Sequence, residues 1–233
     1  MSDVLLFSGG IDSLSAWFYL GNPKSIYIDM MTKYSQKEIE CIKELEKLIP
    51  DLNVEIVKGI NLGQFEEGVN AFIPNRNLIL ASIACNYGDR IIMAGIKDDN
   101  VEDKNPKAFK KMSEVLTLIS KDRKIEVYSP FWKMSKTDIV GWMLDNVIDA
   151  EKMLRTSVSC YSSESLQCGD CPSCLRKAIA FEKFNLSLDF FNNDVRKCAL
   201  IGAYIKKFNS TKIYTKERIE NSMEAFKKWE WKI

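Results

Sequence analysis

The sequence has 233 residues, of which 46% are hydrophobic, so the chain is long enough to bury a sizeable core. Its 33 Lys and Arg residues balance 32 Asp and Glu residues to a formal charge of +1, which disfavours nonspecific nucleic-acid binding as the main task. The absence of histidine excludes Ser-His and Cys-His nucleophilic catalysis and every histidine-ligated catalytic zinc.

The first half of the chain alternates short apolar runs with longer amphipathic segments. Because strands that alternate with helices form parallel sheets covered on both faces, the pattern predicts an α/β fold with a Rossmann-like, doubly wound, five-stranded parallel sheet. The predicted strands are Val4–Phe7, Ser25–Ile28, Val54–Val57, Arg90–Ala94 and Ile125–Tyr128. The predicted helices between them are Ser13–Leu20, Ser35–Leu48, Asn77–Tyr87 and Pro106–Ile119.

After Ser135 the strand pattern fades and the sequence becomes helical. Helices are predicted over Lys136–Leu144, Pro172–Phe184, Asp189–Lys207 and Thr215–Trp229. We therefore expect two units: an α/β domain over residues 1–145, which includes the predicted parallel sheet, and a smaller helical lobe over residues 146–233.

A glycine loop, residues 8–13 (Ser-Gly-Gly-Ile-Asp-Ser), follows the first strand and opens the first helix. Two glycines let consecutive backbone N–H groups point into one concavity, and the helix N-terminus adds a partial positive charge, which suits phosphate. The alternative is an ordinary turn in which Asp12 or Ser13 serves only as a helix N-cap. The spacing matches neither the GxxxxGK[ST] loop nor the GxGxxG fingerprint, which disfavours phosphoryl-transfer NTPases and dinucleotide dehydrogenases.

The pattern Ser-Gly-Gly-x-Asp-Ser on a first strand resembles the pyrophosphatase-loop superfamily of ATP-dependent adenylating enzymes, whose fold is of the adenine nucleotide alpha hydrolase type. That resemblance implies cleavage of ATP between its α and β phosphates, with Mg²⁺ held in part by Asp12. The implied contacts to ATP come from Phe7, Ser8, Gly9, Gly10, Asp12 and Ser13.

Four of the seven cysteines fall within 15 residues, as Cys160, Cys168, Cys171 and Cys174, with the spacing C-x7-C-x2-C-x2-C. Four thiolates suit tetrahedral Zn²⁺, although an iron–sulfur cluster uses the same ligands and two disulfides would also use all four. Zinc with four protein ligands has no open position, so we expect it to stabilise the helical lobe and not to perform the chemistry. Cys41, Cys85 and Cys198 are predicted to be buried thiols.

The glycine loop and the cysteine cluster together resemble the 7-cyano-7-deazaguanine synthase family, which converts a carboxylate to a nitrile. Further segments resemble the same family: Phe72-Ile73-Pro74-x-Arg76-Asn77, the stretch from Pro130 through Ser135-Lys136 to Ile139-Val140, and Ser159 to Phe181 around the cysteines. The implied catalytic residues are Asp12, Arg76 and Lys136. An Arg76 guanidinium suits an α-phosphate or a carboxylate, and its alternative role is a surface ion pair. Lys136 either steadies the triphosphate or caps its helix, and Arg176 either contacts substrate or closes the cysteine hairpin.

Two segments depart from the family pattern: residues 29–35 and residues 95–104. The second is acidic and follows the fourth strand, where it should point toward the ligand crevice. The expected substrate contacts are Arg76, Asn77, Asp98, Asp99, Asn100 and Asp103, with a solvated connection as the plainer alternative for the acidic loop.

The resemblance implies ATP-dependent adenylation of 7-carboxy-7-deazaguanine or a close analogue, reaction with ammonia, and release of AMP and pyrophosphate. Three alternatives stay open: a ligase that uses another amine, a tRNA-thiolating enzyme, and a noncatalytic nucleotide-binding module. The expected partners are a small deazapurine and ammonia or an amine, and a homodimer is expected, with nucleic acid disfavoured. No apolar run approaches the ~20 residues that span a bilayer, so we expect a cytoplasmic protein without membrane contact.

Overall fold

A computed structural model describes residues 1–67, 72–97, 99, 101–162, 167–210 and 214–232, without the side chains at 209 and 210. Its centre is a parallel sheet in the order β3-β2-β1-β4-β5. The strands are β1 (Asp3–Leu6), β2 (Lys24–Ile28), β3 (Val54–Val57), β4 (Arg90–Ile92) and β5 (Glu126–Tyr128). The predicted five-stranded, doubly wound α/β fold is therefore confirmed.

Helices connect the strands and cover both faces of the sheet. They are α1 (Ile11–Tyr19), α2 (Ser35–Leu48), α3 (Arg76–Ala84), α4 (Pro106–Ile119), α5 (Lys136–Asn146), α6 (Ala150–Thr156), α7 (Pro172–Glu182), α8 (Leu200–Ser210) and α9 (Lys216–Lys228). Short 3-10 helices span Gly63–Phe65 and Val195–Lys197. Within the described part of the chain, no helix combines the length and apolar character that crossing a bilayer requires.

Each face of the sheet packs into its own hydrophobic core. Successive residues of a strand point to opposite faces, so their side chains lie in different cores. Leu5 and Tyr27 pack toward α1 and α2, whereas Val4, Ile26 and Ile28 pack toward α3 and α4. The strands consequently have apolar residues on both faces, as expected for a covered parallel sheet. This alternation directs the Tyr27 side chain toward α2.

The helical prediction over Asp189–Lys207 is wrong in its first half. There the chain runs beside the cysteine hairpin instead, because Asn192 and Asn193 donate backbone hydrogen bonds to the carbonyls of Gln167 and Cys168, at 2.7 and 3.2 Å. Asp194 then caps the short 3-10 helix by accepting from Arg196 N, and α8 begins only at Leu200. Helix α6 was not among the predicted helices.

Helix α7 connects the sheet domain with the C-terminal helices. Its Phe181 is buried in the same core as Leu5, while its Leu175 is buried with α8 and α9. Helices α5 and α7 also pack against each other. The division into two units at residue 145 stays a prediction. Apolar contacts, such as the one that buries Phe181 with the sheet, join the two sides of that division.

Candidate active site

The glycine loop makes a tight turn that a residue with a side chain could not easily make. Gly9 has φ +73°, and a Cβ atom there would lie 3.0 Å from the Cys41 Sγ atom. Gly10 is the N-cap residue of α1, so neither Asp12 nor Ser13 caps that helix. The Ser8 N–H donates to Ser13 Oγ at 3.2 Å, and the Ser13 hydroxyl donates to the Gly10 carbonyl at 3.1 Å. The loop therefore curls around the start of α1, a geometry that suits an anionic ligand.

Lys136 reaches the glycine loop from the first turn of α5. Its Nζ atom lies 2.7 Å from Asp12 Oδ1, and burial lowers the pKa of the Lys136 ammonium although Asp12 opposes this shift. A reciprocal capping box between Ser135 and Asp138 caps α5. Lys136 is therefore not the capping residue, and its charge is directed at the loop.

A second charged group surrounds Asp99, whose carboxylate lies 2.9 Å from Lys104 Nζ and 3.3 Å from Arg176 Nη1. Burial alone would raise the pKa of the Asp99 carboxyl, but Lys104 and Arg176 outweigh burial and hold the pKa well below its usual range. Asp99 is thus an anion between two cations. Arg176 therefore lines the cavity beside Asp99, and its contact with substrate stays a prediction.

A third group, the tyrosine cluster, comprises Tyr27, Tyr34, Glu38, Arg76 and Tyr161. The Tyr27 hydroxyl donates to Glu38 Oε2 at 2.8 Å, and Arg76 Nη1 donates to the Tyr34 hydroxyl at 3.3 Å. The Tyr34 and Tyr161 ring centroids are 5.3 Å apart. Burial raises the pKa of the Glu38 carboxyl to about 7, although Tyr27 and Arg76 oppose the shift. Burial likewise raises the pKa of Tyr34 to about 12.

All three groups line one cavity of about 250 Å³ at the carboxyl ends of β1, β2 and β4. This is where an open parallel sheet places ligands, since the connections after β1 and β4 diverge there. The predicted site residues in its lining are Phe7, Ser8, Gly10, Asp12, Ser13, Arg76, Asn77, Asp99 and Lys136.

Four of the residues predicted to bind ATP or substrate lie outside the cavity lining or outside the described residues. Gly9 shapes the loop without lining the cavity. Asp103 is also outside the lining, and its carboxylate accepts hydrogen bonds from Asn77 Nδ2 at 2.8 Å and Asn77 N at 3.3 Å. Asp98 and Asn100 lie outside the described residues. The assignment of these acidic-loop residues to substrate stays a prediction.

Sequence reasoning missed Glu38, Tyr34 and Lys104, which also line the cavity. One signal was available for the first. Glu38 occupies a position four residues before Ile42 on the apolar stripe of α2, where a carboxylate is unfavourable unless something binds it. No comparable signal identifies Lys104 within a polar loop.

The four clustered cysteines converge on one centre in which all Sγ atoms lie within 4.8 Å of one another. Cys171 is the N-cap of α7 and accepts from Cys174 N at 3.4 Å, and Cys160 Sγ accepts from Cys168 N at 3.4 Å. No disulfide forms among the described cysteines, and Cys41, Cys85 and Cys198 are buried thiols as predicted. The thiol arrangement can hold a metal ion.

A strap, residues 155–158, joins this centre to the glycine loop. Gln167 Nε2 and Lys177 Nζ both donate to the Ser157 carbonyl, at 3.1 and 2.5 Å. At the other end of the strap, Val158 N donates to the Gly9 carbonyl at 3.0 Å. Lys177 is buried, and burial lowers the pKa of its ammonium to about 7. The fold of the cysteine hairpin therefore bears on the position of the glycine loop.

Comparisons with known proteins find similar proteins over most of the chain. The family model described as Queuosine biosynthesis protein QueC matches residues 57–185. The 7-cyano-7-deazaguanine synthase 1 of Desulfitobacterium hafniense (strain Y51) is 26% identical over 205 residues, covering 77% of this chain and 90% of the relative. The 7-cyano-7-deazaguanine synthase of Prochlorococcus marinus (strain MIT 9515) is 28% identical over 217 residues, covering 79% and 95%.

Among solved structures, U34-tRNA thiolase NcsA from Methanococcus maripaludis, with its [4Fe-4S] cluster, matches with a TM-score of 0.45 at 15% identity. The match covers 99% of this chain and 71% of that chain. The family model, in contrast, spans more than half of the chain and includes Arg76, Lys136 and the four clustered cysteines. The chain belongs to the QueC family of queuosine biosynthesis proteins.

Proposed function

We propose that the protein uses ATP to activate the carboxylate of 7-carboxy-7-deazaguanine, or of a close analogue, and transfers the acyl group to ammonia. The main supporting observation is that the glycine loop and four cationic side chains line one cavity; the cations are Arg76, Lys104, Lys136 and Arg176. The two synthases from Desulfitobacterium hafniense and Prochlorococcus marinus are named for a nitrile-bearing deazaguanine, and a carboxylate is a chemically direct precursor of that nitrile.

In this proposal the glycine loop and the first turn of α1 hold the phosphates of ATP through backbone N–H groups. Lys136 turns from Asp12 toward the phosphates, which frees the Asp12 carboxylate as a ligand for Mg²⁺. The metal ion, when bound, offsets the charge of the departing pyrophosphate. Arg76 suits the substrate carboxylate, because a guanidinium binds a carboxylate bidentately.

The proposed reaction has two transfers. A carboxylate oxygen bonds to the α-phosphorus of ATP while the bond to the β-phosphate breaks, and pyrophosphate leaves. The ammonia nitrogen then bonds to the activated carbon, a proton is lost, and AMP leaves with the former carboxylate oxygen to give an amide. Formation of a nitrile removes the second oxygen with a second ATP and the loss of two N–H protons.

We assign Zn²⁺ to the cysteine centre. With Zn–S bonds of about 2.3 Å, tetrahedral geometry requires sulfur separations of about 3.8 Å. Cys168 Sγ and Cys174 Sγ are 3.9 Å apart, whereas a four-iron cluster binds each thiolate to a different iron and spreads the sulfurs further. Elemental analysis of purified protein should find about one zinc per chain, and iron with a visible absorption band would contradict the assignment.

The activity is tested by incubating purified protein with Mg-ATP, ammonium and 7-carboxy-7-deazaguanine and following nucleotides and deazapurines by mass spectrometry. We expect AMP, pyrophosphate and the amide or nitrile. If AMP forms without either product, the protein activates its substrate but uses another amine or acceptor. If no AMP forms, a nucleotide-binding module is favoured.

A matched pair of lysine variants links the activity to this cavity. Lys136→Ala should lower kcat/KM by about 10²- to 10³-fold, a typical cost of losing one donor to developing charge. Lys133→Ala, which removes an exposed neighbour, should leave kcat/KM unchanged. The homodimer and the cytoplasmic location stay predictions.

A further inference from the structure

Among the described residues, the cavity contains one carboxyl group that forms no ion pair and has no role in the mechanism above. Among the described residues, the carboxyl groups in the lining belong to Asp12, Glu38 and Asp99. Asp12 lies 2.7 Å from Lys136, and Asp99 lies between Lys104 and Arg176. Glu38 forms no ion pair within the described part of the chain. The Tyr27 hydroxyl donates to Oε2, so Oε1 has no donor among the described residues, and the Glu38 residue lines the cavity.

A partly buried carboxylate with a spare acceptor is best matched by a ligand that presents adjacent N–H donors. The edge of a guanine-type ring offers such a pair in its ring N1–H and its exocyclic amino group. Adenine instead places a ring acceptor beside its amino group, so a carboxylate would repel one of the two positions. A carboxylate in this cavity therefore favours the guanine-type base over the adenine of ATP.

We propose that Glu38 recognises the deazaguanine substrate by accepting hydrogen bonds from its ring N–H and its 2-amino group. This assignment rests on the proposed function and adds a specificity determinant to it. Tyr27 fixes one carboxylate oxygen at 2.8 Å and so orients the other.

The surroundings of Glu38 suit the rest of such a substrate. Tyr34 and Tyr161, with ring centroids 5.3 Å apart, provide aromatic surface in the same lining. Arg76 donates to the Tyr34 hydroxyl at 3.3 Å, which brings a cation for the substrate carboxylate to the same cluster. One flat ligand with an N–H edge and a carboxylate would thus find complementary groups for both.

The described residues of the acidic loop offer fewer free acceptors for the same edge. Asp99 is neutralised by two cations, and Asp103 accepts from Asn77 outside the lining. Glu38 comes from α2 instead, so base recognition is assigned to the β2–α2 side of the crevice.

The pH dependence of binding gives a supporting expectation. The titratable and charged groups that interact with Glu38 are Tyr27 on β2, Asp29 after β2, Tyr34 before α2, Cys41 on α2 and Arg76 on α3. Burial raises the pKa of Glu38 to about 7, and only the ionised form accepts two N–H donors. Affinity for the base should therefore fall as pH decreases below about 7.

The test compares 7-carboxy-7-deazaguanine with its analogue that lacks the 2-amino group. Calorimetric binding to wild-type protein should favour the first by roughly tenfold to a hundredfold, as good bidentate pairs do in base recognition. In Glu38→Gln that preference should collapse to within about twofold, while the Kd for ATP stays unchanged. Glu40→Gln, an exposed neighbour on the same helix, should retain the wild-type preference.

The preference is a ratio within each variant, so a reduced folded fraction does not alter it. A preference retained in Glu38→Gln, or a change confined to the Kd for ATP, would overturn this inference while leaving the proposed function intact. Tight binding of 7-carboxy-7-deazaguanine with the expected preference but without AMP release would instead overturn the proposed function alone. No binding of the base would overturn both.

Discussion

The glycine loop and the tyrosine cluster line the same cavity, yet they are built in different ways. Residues of the loop are consecutive, and one distant cation, Lys136, completes the group. The tyrosine cluster draws its residues from β2, α2, α3 and the segment beside Cys160. Charge dominates around the loop, whereas aromatic rings and one carboxyl group dominate around Glu38.

Because of this difference, the glycine loop suits the binding of phosphate, whereas the tyrosine cluster suits the selection of a base. A contiguous loop at a helix N-terminus provides N–H groups that donate hydrogen bonds to the oxygens of any phosphate chain. A cluster assembled from four segments can change one side chain at a time without altering the loop. Under the proposed function, we therefore expect substitutions in the tyrosine cluster to change the base that is activated and to leave the activation step intact.

The largest expected effect concerns the cysteine centre, which supports both groups. Cys174→Ser should abolish stoichiometric metal and unfold the C-terminal helices, because metal binding contributes about 10 kcal/mol or more to such sites. Since the strap transmits the hairpin's position to Gly9, ATP binding should be lost with it. Elemental analysis and thermal melting measure both losses.

Cys85→Ala is the control for that variant, because Cys85 is buried in a different hydrophobic core from Cys160 and Cys174. It should keep its metal and lose stability only modestly. Full metal content in Cys174→Ser would contradict the four-thiolate assignment.

A second prediction is that a substitution at Gly9 affects the glycine loop and not the tyrosine cluster. Gly9→Ala places a Cβ atom 3.0 Å from Cys41 Sγ in a left-handed backbone conformation, which costs roughly 1–2 kcal/mol before any contact is counted. The affinity for ATP should fall by at least about tenfold, while the Kd for the base stays unchanged. Equilibrium binding of each ligand provides the measurement.

Gly21→Ala is the matched control, since Gly21 has the same φ of +73° but no atom within 4 Å of the added Cβ. It should lose stability without losing ATP affinity. An equal loss of ATP affinity in both variants would show that backbone strain lowers ATP affinity through overall stability and not through the geometry of the glycine loop.

A third prediction uses stability to examine the tyrosine cluster alone. The folded-state pKa of Glu38, raised by burial to about 7, lies above the ordinary value of 4.5. The folded state therefore binds more protons between these values, and stability declines as pH rises through that window. Glu38→Gln should melt about 2–4 °C higher than wild type at pH 8, the shift expected for roughly 1 kcal/mol.

The advantage of Glu38→Gln should shrink at pH 5, where the wild-type carboxyl is largely protonated in the folded state. Thermal melts at both pH values decide this. An advantage that is the same at both would assign it to packing and not to charge.

The smallest expected effect is that of Tyr34→Phe, which removes the hydroxyl that accepts from Arg76 at 3.3 Å. Arg76 has a further interaction in the structure, so only a few-fold rise in KM for the base is expected, in line with about 1 kcal/mol per hydrogen bond. Steady-state kinetics at saturating ATP measure it. Tyr128→Phe is the control, because the buried Tyr128 hydroxyl has no hydrogen-bond partner among the described residues and should leave KM unchanged.

Local patterns in the sequence predicted most of the fold. The spacing of apolar residues over short stretches of sequence predicts the strands and the helices between them. Each predicted strand is present within about two residues of its predicted bounds. The prediction failed over Asp189–Lys207 because backbone groups near Asn192 pair with the cysteine hairpin, a long-range contact that no local period reports.

By itself the sequence determined the glycine loop, the cysteine ligand set and the doubly wound sheet, because each depends on neighbouring residues or on regular spacing. Only the tertiary structure decided that Lys136 meets Asp12, that Arg176 and Lys104 enclose Asp99, and that Glu38 faces the cavity. These contacts join residues tens of positions apart in sequence, with the exception of Lys104 and Asp99. Their geometry depends on how strands and helices pack, which single-sequence patterns do not specify.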